Sequence, residues 1–147
     1  MSALVALLAV LALAAPIGCG GDEGDYADEL PPIDRQTVVL GDRVEAALQA
    51  AGRTGDAALA ERFSGFGRTL GRLRERLDDL EPPERLAPAQ DALSTAMGSV
   101  RGALEQTASA ARRGDAPAAR AASNRLVRAG ERLADARREL AEKVARL

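Results

Sequence analysis

A chain of 147 residues carrying 20 basic and 22 acidic side chains can bury one real core, and its formal net charge of −2 does not drive it onto nucleic acid. It has no histidine, no tryptophan, one cysteine, one tyrosine and two phenylalanines. Those absences remove the usual near-neutral general base, the commonest metal ligand and the aromatic platforms of RNA and single-strand binders.

The chain opens on an apolar run, Ala3 to Ala15, with only Met1 and Ser2 before it. Thirteen residues match the hydrophobic region of a signal peptide and fall short of the ~20 a membrane-crossing helix needs. Pro16-Ile17-Gly18-Cys19 follows, with the only cysteine at its end. This junction resembles the lipobox of bacterial lipoproteins, although Pro16 stands where an aliphatic residue is usual. The resemblance implies a signal peptide over 1–18, lipid on Cys19, and attachment to the outer face of the cell membrane. The alternative is a secretory peptide cut near Ala12-Leu13-Ala14, which would leave Cys19 as a free thiol.

Residues 19–32 hold Asp22, Glu23, Asp25, Asp28 and Glu29 with no basic residue, three glycines and a closing Pro31-Pro32. The composition reads as a lipidated, acidic, flexible tether. Residues 33–147 then carry 17 acids and 20 bases and read as one helical domain.

Four segments of helical periodicity follow, and none alternates with period two long enough for a strand. The first spans 34–51, with Asp34 as N-cap, Leu40, Val44, Ala47, Leu48 and Ala51 as its apolar line, and Gly52 as its C-terminal stop. The second, 56–80, places Leu59, Phe63, Phe66, Leu70, Leu73, Leu77 and Leu80 in unbroken four-three spacing, with Phe66, Leu70 and Leu73 at the expected centre. Pro82-Pro83 ends it. The third, 88–113, starts at Pro88, repeats the seam through Leu93, Met97, Val100, Leu104, Thr107 and Ala111, and stops at Gly114. Asp115 caps the fourth, 115–147, whose stripe of Ala119, Ala122, Leu126, Leu133, Leu140, Val144 and Leu147 is thinner. The expected fold is all-α, an antiparallel up-down bundle of about four helices.

Candidate sites are few. Gly65, Gly67, Gly71, Gly98, Gly102 and Gly130 lie inside expected helices, and the one-turn spacing of 67 with 71 and of 98 with 102 allows a close helix contact, a homotypic interface, or merely loose packing. Arg68, Arg72 and Arg76 share a face with Arg74 beside it, and Arg112, Arg113, Arg120, Arg125, Arg128 and Arg132 make the next basic surface. Each could meet anionic lipid or polymer, or be an ordinary solvated exterior. Asp78, Asp79, Glu81 and Glu84 cluster near one corner without any calcium-loop spacing, and a di-iron bundle would require histidines.

Leader, acidic tether, paired prolines and an Ala/Arg-rich helical body together resemble the small helical lipoproteins of high-GC Gram-positive bacteria. The resemblance transfers no active site. The expectation is a non-catalytic binding or spacer module at the cell envelope, engaging an unknown envelope protein or polymer and no nucleic acid. A small-ligand carrier with a cavity between the helices is the alternative, and a secreted, non-lipidated helical protein the second. No catalytic residue, cofactor or metal is expected.

Overall fold

The computed structural model describes residues 23–147, so the leader and Cys19 lie outside the described residues. Four helices run antiparallel: α1 (Glu23–Ala50), α2 (Asp56–Asp78), α3 (Ala87–Arg112) and α4 (Ala116–Val144), with a 3-10 turn at Ala51–Arg53 after α1. Among the described residues there is no strand, and the chain is an all-α four-helix bundle.

The first helix departs most from expectation. It does not begin at Asp34 but at Glu23, carries Pro31 and Pro32 in its interior, and converts residues 23–32 from tether to structure. Each proline withholds one i→i−4 hydrogen bond and crowds the preceding turn, a cost of about 3 kcal/mol in an ordinary helix. What offsets it is a stripe that the prolines do not interrupt: Tyr26, Leu30, Ile33, Thr37 and Leu40 are all buried, at spacings of four, three, four and three. Fully burying each large apolar side chain contributes roughly 1.5–3 kcal/mol. Pro31 is exposed and Pro32 half-buried, and neither belongs to the buried stripe.

The remaining boundaries follow local chemistry. Asp115 caps α4, its side chain accepting from the Ala118 N–H at 2.9 Å. Gly114, at φ +61°, is the left-handed residue that ends α3. Gly52 plays no such part. The chain tightens into the 3-10 turn instead, where Thr54 donates from its N–H to Ala51 O and from its hydroxyl to Ala50 O. α2 ends two residues before the expected Leu80. The buried Gln90 of α3 donates through Nε2 to the carbonyls of Leu77 and Leu80 at that helix end, at 3.0 and 3.2 Å.

The core is built around α3, which packs along α2 on one side and α4 on the other. Phe63, Leu70, Leu77, Leu86, Met97, Leu104 and Leu140 are its fully buried large side chains. Phe66, expected at the centre, is only half-buried and packs edge-on against Phe63, with ring centroids 5.9 Å apart. The seven-residue seam of α2 meets its neighbours best at the Phe63–Leu70–Leu77 positions, which leaves Phe66 at the margin.

A candidate ligand-binding groove between the first and last helices

α1 packs on α2, but α1 and α4 touch at few places. At one end they are pinned by a bidentate ion pair: Arg137 donates from Nε to Asp34 Oδ1 at 2.6 Å and from Nη2 to Asp34 Oδ2 at 2.9 Å. Asp34 is thus not a cap but one jaw of a clamp between helices. Beyond it the helices leave an open cavity of about 470 Å³, within the ~300–1,000 Å³ range of small-molecule sites.

Its floor is apolar, with Leu70 from α2 and Val100 and Leu104 from α3, and Leu40, Val44, Leu126 and Leu133 line its walls. Gly41 of α1 and Gly130 of α4 also line it, and a Cβ added at either would find no neighbouring atom within 4 Å. Neither has positive φ. These glycines therefore answer no need for close approach or unusual backbone, and their missing side chains leave the space empty. Val38 and Val127, at 38% and 52% exposure, flank the mouth. Asp42 and Glu45 also line it from α1.

The other glycines behave differently. Gly67 and Gly71 are buried on the α2–α3 contact. A Cβ at Gly71 would lie 3.5 Å from the Arg101 guanidinium, and one at Gly98 would lie 3.0 Å from that of Arg74. The two helices thus exchange arginine side chains over each other's glycines. This is the close helix contact, made inside the chain. Gly102 and Gly65 meet no other helix.

The basic surfaces separate as well. Arg68 pairs with Glu61 at 3.2 Å, Arg74 holds Ser94 and Asp78, Arg76 donates to Gln36 of α1, and Arg72 donates to Thr69. That run is engaged within the bundle. Arg112 donates to Ser64 and Arg113 to Ser109, while Arg120, Arg125, Arg128 and Arg132 stand exposed on α4. Asp78 is taken by Arg74, and Asp79, Glu81 and Glu84 are exposed. Among the described residues no three acids or thiols converge as metal ligands.

Burial of Tyr26 pushes its phenol from 10.0 up to about 12, because the phenolate would lose its water. Its hydroxyl finds no hydrogen-bond partner, nor does the buried Oε1 of Gln90. Tyr26 lies near the start of α1, well away from the groove-lining residues 37–48. Thr37, Gly41 and the Asp34–Arg137 clamp escaped the sequence reading. Gly41, a helix-interior glycine on an exposed face with no turn to serve, was the available signal beside Gly130, which the sequence already singles out.

Compared with family models, with curated proteins and with solved structures, the chain matched nothing in any of the three.

Proposed function

We propose that this chain is a non-catalytic binding module of the cell envelope, anchored through lipid on Cys19, with the α1–α4 groove as its receptor surface. The observation that carries the binding role is the unfilled apolar groove. Two interior glycines, each about 1 kcal/mol worse than alanine in a helix, stand where larger side chains would close it. Among the described residues no helix is long and apolar enough to cross a membrane.

The concave shape favours the carrier form of this reading over a protein-docking surface. Val38 and Val127 are the only large exposed apolar side chains at the mouth, whereas a stable protein interface buries about 800 Å² per partner. The early start of α1 also changes where the module would sit. Cys19 is four residues from Glu23, at most about 14 Å of chain, so a lipid there would hold the α1 N-terminus next to the headgroups.

Metabolic labelling with a clickable fatty acid tests the anchor: the parent should be labelled and membrane-bound, and Cys19→Ser unlabelled and released. Equal soluble secretion of both would defeat the localisation. Binding of matched apolar probes by the parent and not by a groove-filled variant tests the receptor role.

A further inference from the structure

We propose that the α1–α4 groove takes a single-chain cationic amphiphile, its alkyl chain above the Leu70–Val100–Leu104 floor and its positively charged head at the Asp42 and Glu45 rim. This rests on the groove being the receptor surface and adds the chemical class of its occupant.

Charge selects the class. Four ionisable side chains reach the groove or its clamp: Asp34, Asp42, Glu45 and Arg137. Arg137 is the only cation among them, and its Nε–Nη2 edge is turned onto the carboxylate of Asp34. Among the described residues Asp42 has no ion-pair partner, and Glu45 meets only the neutral amide of Gln49, at 3.2 Å. The mouth thus presents two carboxylates without a compensating cation. An anionic head, such as a fatty-acid carboxylate, would face like charge there. An ammonium head would gain two partly solvated attractions while its chain replaces water on the partly exposed Val44, Leu48, Val127 and Leu133.

Shape sets the rest. Open space beside Gly41 and Gly130 admits a chain one alkyl group thick between the helices. The groove-lining stretch from Thr37 to Leu48 rises about 16 Å along α1, long enough for an extended chain of moderate length.

Three probes of equal chain length separate the possibilities: dodecyltrimethylammonium, dodecanol and dodecyl sulfate, titrated calorimetrically below their micellar concentrations into the full chain. Gly130→Leu is the reference variant. It fills the cavity at a position with no clash at Cβ, and it should fold with undiminished helicity, so lost binding cannot be blamed on unfolding.

The ammonium probe should bind about tenfold more tightly than the sulfate, as two exposed charge contacts allow. The double variant Asp42→Asn, Glu45→Gln should level the two while leaving dodecanol unchanged, and Gly130→Leu should abolish all three. If the sulfate matches or beats the ammonium while Gly130→Leu still abolishes both, the charge class is wrong and the groove remains the receptor. If Gly130→Leu binds the probes as the parent does, the receptor reading falls with it. A parent that elutes as a dimer, made monomeric by Gly130→Leu, would make the groove an interface between copies and overturn the ligand assignment.

Discussion

Alkaline titration of Tyr26 distinguishes a folded start of α1 from a loose tether. Tyr26 is the only tyrosine and there is no tryptophan, so the phenolate absorbance band reports this residue alone. Its side chain is 3% exposed, and burial pushes the phenol from 10.0 to about 12. The raised value means that the folded state holds the proton more tightly than the unfolded state does. Below pH 10 both states are protonated and the contribution to stability is complete. Between 10 and 12 the unfolded chain sheds its proton and the folded one does not, so stability falls by about 1.4 kcal/mol per pH unit. The whole loss is roughly 2–3 kcal/mol, a substantial part of the ~5–15 kcal/mol typical of a domain.

The expected trace has a midpoint well above 10. If unfolding intervenes, the rise should instead be steep and coincide with the loss of helical circular dichroism. Tyr26→Phe should remove the alkaline destabilisation. It should also be neutral or stabilising near pH 7, because the hydroxyl it deletes is buried without a partner. A simple titration centred at 10 with helicity intact would refute the burial of Tyr26. Residues 23–32 would then be the solvated tether that their composition suggests.

Core and glycine substitutions test the remaining geometry. Leu104→Ala, at a fully buried site on the central helix, should cost about 2–5 kcal/mol and lower the melting temperature sharply, and a parent-like melt would misplace the core. Gly130→Ala should stabilise by up to ~1 kcal/mol, since the new methyl meets open space. Gly98→Ala should gain less, because its methyl would press the Arg74 guanidinium at 3.0 Å and strain the 2.9 Å Arg74–Ser94 hydrogen bond. Equal gains at the two glycines, read by thermal melts, would contradict the α2–α3 exchange of arginines.

The amino-acid sequence alone determined four helices, their antiparallel order and most of their ends, because those features are written in short-range chemistry. Four-three spacing marks α2 and α3, an Asp115 side chain reaches its own helix's N–H groups, and a glycine ends α3. The start of α1 lay outside that local code. Gly, Asp and Pro-Pro each argue against helix between 20 and 32, yet Tyr26 and Leu30 extend the α1 seam by one full heptad. Only the packing of α1 on α2 makes that seam worth more than the proline penalty. The groove was still less legible. It depends on how far α1 stands from α4, and that distance is a property of two helices separated by the whole bundle. A clamp between Asp34 and Arg137, 103 residues apart, holds one end, and two glycines on different helices leave the middle unfilled. Periodicity reports which face of a helix is buried; how closely two buried faces approach is decided by side-chain volume and pairing across the fold.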